Sequence, residues 1–111
     1  PNADDLKRIR QDIDYNYPEW NSILQSKSIK STFGALQGDT VLTAPRGYTT
    51  DHEAIALLRH KQFIVRHHFT DDEVISPDFL KQVNTMYKNV RPYFDYMSSV
   101  LTTDANGELL V

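Results

Sequence analysis

The sequence predicts a mostly helical α+β domain, in which a long C-terminal amphipathic helix packs with shorter helices and with one or two strands of a sheet largely supplied from outside these residues. Three observations carry that prediction. From Phe79 onward, Phe79, Val83, Met86, Val90, Tyr93, Met97 and Val100 recur in alternating steps of four and three, which is the period of one helix face. The first third of the chain shows helical spacing in shorter pieces. Between them, residues 62–69 (Gln-Phe-Ile-Val-Arg-His-His-Phe) have the β-branched and aromatic content of a strand. A second strand candidate, at 40–43, is short, and two strands make a marginal sheet at best.

Taken in order, Asn2 followed by Asp5 suits an N-cap with an acid in the first helical turn. Leu6, Ile9, Ile13 and Tyr17 then recur at helical spacing, with Lys7, Arg8, Arg10, Gln11 and Asp12 assigned to the opposite, solvated face. Pro18 ends that helix and suits the first turn of a second, which carries Trp20, Ile23 and Leu24. A third runs from about Ile29 to Phe33 and stops at Gly34, a left-handed C-cap. Gly38-Asp39 reads as a turn before the short strand, and the 44–48 segment (Ala-Pro-Arg-Gly-Tyr) is irregular, with Gly47 at a positive-φ bend. Thr50-Asp51-His52-Glu53 has capping-box spacing and predicts a helix to about Arg59 with Ala54, Ile55, Leu57 and Leu58 inward.

In the strand at 62–69, Phe63, Val65, His67 and Phe69 share one face, and Ile64, Arg66 and His68 the other. Thr70-Asp71-Asp72-Glu73 repeats the capping-box spacing and opens a single turn. Ser76-Pro77-Asp78 then starts the long helix, which runs to about Leu101, is widened by Leu80, Tyr87, Phe94 and Leu101, and carries Pro92 inside it. Asp104-Ala105-Asn106-Gly107 ends it in a turn, leaving an apolar stretch at 108–111.

Composition removes whole classes. At 111 residues and 12.8 kDa the chain is one domain's worth, or one part of a larger domain. A 40% apolar, 24% charged composition excludes disorder and collagen-like repeats. Without cysteine there is no disulfide scaffold and no thiolate zinc site. No apolar run approaches the roughly 18 residues of a membrane span, so no membrane partner is expected and the cytoplasm is the expected location. A net charge of −3 gives no pull toward nucleic acid.

The motifs also carry a resemblance. Leu42-Thr43-Ala44-Pro45-Arg46-Gly47-Tyr48, then Asp51-His52, the run from Ala54 through Leu57-Leu58 to Lys61-Gln62-Phe63, Glu73-Val74-Ile75-Ser76-Pro77-Asp78-Phe79 and Val90-Arg91-Pro92 closely resemble the bacterial family catalogued as domain of unknown function 2461. The pattern covers about half of the chain in order. It departs at Glu53, where family members usually have proline. The resemblance implies that these residues form the C-terminal half of a domain about twice as long, whose missing N-terminal half carries most of the sheet. It implies a fold and no reaction.

Among candidate sites, Arg46 on its proline-stiffened bend beside a helix N-terminus, with His52 and with Lys61 past the other end of that helix, forms the least ordinary local chemistry. A guanidinium in that setting attracts phosphate or carboxylate; alternatively, Arg46 reaches an acid or a helix C-terminus and pins the loop. The histidines His52, His60, His67 and His68 invite a metal reading. Eight residues separate the first two, the last two face opposite ways along a strand, and no carboxylate stands at a ligand spacing, so no metal and no cofactor are expected. Tyr87, Tyr93, Phe94 and Tyr96 could stack nucleic-acid bases, but only Lys81, Lys88 and Arg91 accompany them, so core packing is the expected role.

Three functions follow. The first is a structural or binding segment without catalysis inside it. The second is an enzyme or anion-binding protein whose site, at the junction with the missing half, uses Arg46, His52 and Lys61. The third is a helical interaction module acting through the apolar seam. An unpaired strand edge also predicts self-association, or pairing with the rest of a longer polypeptide.

Overall fold

The computed structural model describes residues 2–103. Among them are six helices: α1 (Ala3–Tyr15), α2 (Tyr17–Leu24), α3 (Lys27–Phe33), α4 (Ile55–Leu58), α5 (Asp71–Ile75) and α6 (Phe79–Thr102). Asn2 Oδ1 accepts the Asp5 N–H at 2.8 Å and opens α1, with Asp4 and Asp5 set against the positive end of its dipole. Pro18 lies in the first turn of α2, where a missing N–H is harmless. Gly34 ends α3 at φ 68°. The turn expected at 104–107 and the apolar stretch at 108–111 lie outside the described residues.

The core is built where α6 lies against α1, α2 and α3. Ile9 and Ile13 of α1, Trp20 of α2, Ile29 and Phe33 of α3, and Val90, Tyr93 and Val100 of α6 are all buried. Met86 and Met97 are partly buried against them, so the seam is consumed inside the chain. Each large apolar side chain contributes about 1.5–3 kcal/mol through this burial. Pro92 is exposed on the outer face of α6, and the carbonyl it leaves without an N–H belongs to the equally exposed Lys88 and meets water.

Two expectations are corrected in the middle of the chain. The helix expected from Thr50 shrinks to the single turn of α4. Residues 49–54 are held in tight turns instead: His52 N–H donates to the Thr49 carbonyl, and Ile55 N–H to that of His52, both at 3.1 Å. The Thr49 hydroxyl goes to Asp51, and His52 Nδ1 takes the Ala54 N–H, so local bonds win over the capping box.

The strands expected at 40–43 and 62–69 reduce to two isolated antiparallel bridges, Gln37 with Ile64 and Thr40 with His60. These pairings differ by one in register, so no continuous ladder can join them. Gly38 sits at the break with φ 122°, where a Cβ would lie 2.5 Å from the Gln62 carbonyl oxygen. Past Ile64 the register would next set Ala35 against Arg66 and Phe33 against His68, but Phe33 already belongs to α3. The expected alternation of 62–69 nevertheless persists. Phe63 meets Trp20 (ring centroids 6.2 Å), His67 meets Phe33 edge-on (6.3 Å), and Phe69 meets Phe79 (5.1 Å). Arg66 and His68 are exposed.

Candidate functional site

The 45–48 loop returns to the N-terminal helix. Pro45 is buried, Tyr48 N–H donates to the Pro45 carbonyl at 3.1 Å, and Gly47 takes φ 92°. This bend sets Arg46 and Tyr48 opposite α1, across a cleft of about 670 Å³ whose other walls include Leu6, Lys7, Arg10 and Asp14.

Each charged group in the cleft has a different status. Arg10 is committed: its Nε donates to the Leu58 carbonyl at 2.9 Å and its Nη2 to that of His60 at 3.0 Å, which ties α1 to the end of α4. Burial lowers its pKa, with Tyr48 partly opposing, and the guanidinium stays cationic. Asp14 Oδ1 accepts from His52 Nε2 at 2.7 Å. Because His52 Nδ1 accepts the Ala54 N–H at 2.9 Å, its ring proton sits on Nε2 and both nitrogens are occupied. Burial raises the Tyr48 pKa, as does nearby Asp14, so the phenol is a hydrogen-bond donor at neutral pH. Arg46 and Lys7 are exposed and make no hydrogen bond or ion pair with any described residue.

The structure places Arg46 on the wall of the cleft, while His52 does not line it and meets it only through the wall residues Tyr48 (edge-on at 6.1 Å) and Asp14. Lys61 is exposed and does not line this cleft; its backbone N–H donates to the Asp39 carbonyl at 2.7 Å. The helix start expected at Thr50, close to Arg46, does not form, because α4 begins only at Ile55 and His52 already occupies the Ala54 N–H. Nor does Arg46 pin the loop, since it bonds to no described residue. The arginine that does act as a clamp is Arg10, which periodicity had placed on the solvated face and which fastens the end of α4 instead. Asp14 and Lys7 were missed as well. Their one readable signal is position: Lys7, Arg10 and Asp14 follow one another at helical steps on α1.

The other histidines are dispersed. His60 Nδ1 donates to the Gln62 carbonyl at 3.2 Å, and burial lowers its pKa against that bond. His67 Nδ1 donates to the Thr32 carbonyl at 2.7 Å. Among the described residues no three His, Asp or Glu side chains gather as a metal site would require.

A second polar cluster is sealed in the core. Asp12, assigned above to the solvated face, is 7% exposed. Its Oδ2 accepts from Trp20 Nε1 at 2.8 Å and from the Tyr96 hydroxyl at 2.6 Å, and its Oδ1 from Asn16 Nδ2 at 2.9 Å. Burial raises the Tyr96 pKa, and the bond to Asp12 adds to the shift. Tyr96 also stands edge-on to Trp20 at 5.3 Å. With three donors around one carboxylate, the cluster joins α1, α2 and α6. It also divides the aromatic set: Tyr93 and Tyr96 turn inward, while Tyr87 and Phe94 remain outside.

Comparison with known proteins agrees with this chain's motifs. The sequence profile of the family described as conserved hypothetical protein (DUF2461) matches residues 1–96, and the chain belongs to that family. No curated protein and no solved structure matches it. No helix among the described residues is long and apolar enough to cross a membrane.

Proposed function

We propose that this member of the DUF2461 family is a binding protein whose ligand presents a phosphate or carboxylate to the cleft between α1 and the 45–48 loop. One observation carries the reading: Arg46 and Lys7, two cations without partners, face a cleft of a volume typical for small molecules (about 300–1,000 Å³). Arg46 offers a planar fork for two anion oxygens, and the Tyr48 phenol supplies a neutral donor nearby. Asp14, held by His52, stands ready to accept from a ligand hydroxyl or ammonium. Binding suits the site better than catalysis, since both nitrogens of His52 are already engaged. An interaction role for the apolar seam is disfavoured by its burial inside the chain.

The test is calorimetric titration with inorganic phosphate, nucleotides and short dicarboxylates, comparing wild type with Arg46→Ala and Lys7→Ala. A charge-assisted bond contributes about 1.5–3 kcal/mol, so each truncation should weaken binding about 10- to 100-fold. An unchanged profile in both variants, or no binding to the wild type, refutes the reading.

A further inference from the structure

Beyond the cleft, we propose that residues 65–69 form an open docking edge that takes up an acidic, extended peptide segment by strand addition. The first observation is the backbone. Ile64 exchanges both of its hydrogen bonds with Gln37, at 2.7 and 2.9 Å. From Val65 through Phe69, no backbone N–H or C=O bonds to any described residue. The side chains still alternate as in a strand, and Arg66, His67 and His68 are exposed, so those backbone groups face water rather than a buried void.

The second observation is direction. Backbone groups of successive strand residues point to opposite edges. Ile64 faces Gln37; accordingly, the Phe63 carbonyl faces the other edge, where the Tyr93 hydroxyl of α6 reaches it at 3.0 Å. Val65 and His67 continue the parity of Phe63 and direct their amides to that α6 side. There lies an apolar groove of about 390 Å³, walled by Val65 and Phe33 on one side and by Met86, Tyr87 and Phe94 on the other. Tyr87 and Phe94 are 60% and 53% exposed although both line it. Unpaired amides beside an apolar groove are what a peptide needs when it adds as a strand and buries alternate side chains.

The third observation is charge, and it selects the occupant. The Arg66 guanidinium stands on the rim, with the exposed Lys88 next to Tyr87 on α6. No carboxylate lines the groove; Asp95 on α6 is drawn toward Arg91 at 3.8 Å, and Glu73 lies toward His67 at the other end. A second copy paired antiparallel with its Val65 opposite His67 would set Arg66 against Arg66 and repel. An acidic segment with apolar residues at alternate positions meets no such conflict.

The probe is a fluorescently labelled hexapeptide of alternating glutamate with valine and phenylalanine, titrated into the 111-residue chain by anisotropy at low salt. Binding should be lost when alternate peptide amides are N-methylated, and should fall at least tenfold when lysine replaces glutamate. Tyr87→Ala and Arg66→Glu should each weaken it about tenfold, with Trp20 fluorescence confirming the fold. Equal affinity for the N-methylated peptide, or no binding of the parent peptide at millimolar concentration, overturns the proposal. So does sedimentation showing that the chain closes this edge with a second copy. The peptide-side changes decide the matter even if a protein variant fails to fold.

Discussion

Truncating Asp12 should be among the most damaging single changes in the chain, although periodicity alone treats the position as solvated. In Asp12→Ala the Trp20 indole N–H, inside a residue only 1% exposed, and the half-buried Tyr96 hydroxyl both lose their acceptor. A buried donor left unpaired costs about 1–3 kcal/mol, so the two together cost about 2–6 kcal/mol; Asn16 is exposed and recovers its bond from water. Against a total stability of about 5–15 kcal/mol, this is a large fraction. Urea unfolding followed by fluorescence of the single tryptophan reads the same core directly. With an m-value of about 1.5 kcal/mol/M, the midpoint should drop by about 1–4 M. Asp12→Asn keeps one acceptor oxygen and should lose less, about 1–3 kcal/mol. A double-mutant cycle with Tyr96→Phe should show coupling of at least about 1 kcal/mol. If Asp12→Ala lies within about 0.5 kcal/mol of wild type, or the cycle shows no coupling, the cluster does not hold the helices together and the reasoning fails.

Other perturbations follow from the same structure. Burial raises the Tyr93 and Tyr96 pKa values above the unfolded value of about 10, so their stabilisation is complete below pH 10 and should fade as pH rises beyond it. Urea midpoints across pH 8–11 should show this decline, and Tyr93→Phe should flatten it. Val90→Asp places a charge at a residue 3% exposed and should leave no cooperative unfolding transition by circular dichroism, whereas Lys88→Asp, two residues away on the exposed face, should shift the midpoint negligibly. Thr70→Ala removes one half of the reciprocal capping box with Glu73 and should raise amide exchange in α5 by the equivalent of about 1 kcal/mol. The hydrogen bonds from Thr70 lower the Glu73 pKa, so this cap should weaken as pH falls through the carboxylate range, seen as faster exchange of the Thr70 amide relative to its intrinsic rate.

What could be read beforehand and what could not divides along sequence separation. The α6 seam, the Asn2 cap and the Thr70 capping box each depend on residues a few positions apart, and each appears as expected. Asp12 differs: it looks like a surface acid until Trp20 and, 84 residues away, Tyr96 arrive to donate to it. Arg10 likewise looks solvated because its acceptors lie 48 and 50 residues downstream. The Thr50 box and the strand at 62–69 fail for another reason. Local side-chain bonds at 49–54 offered the backbone a competing arrangement, and a one-residue register shift with a helix in the partner's place ended the ladder. In the site, Arg46 was visible through its proline and glycine neighbours, whereas Asp14 becomes part of it only when the chain folds back on α1.

The fastenings of the middle segment have a consequence for how the molecule opens. Arg10 grips the carbonyls of Leu58 and His60, Asp14 holds His52, the Thr32 carbonyl receives His67, and Tyr93 reaches the Phe63 carbonyl. Residues 37–67 are thus buttoned to a helical frame at separate points, while their own backbone pairing is confined to a few bonds. A garment closed this way comes undone in one sweep once a few buttons slip. The amides of Gln37, Val41, Lys61 and Ile64 should therefore exchange together, at one shared opening free energy below that of α1 and α6, making this region a cooperative unit that can lift away while the frame stays folded.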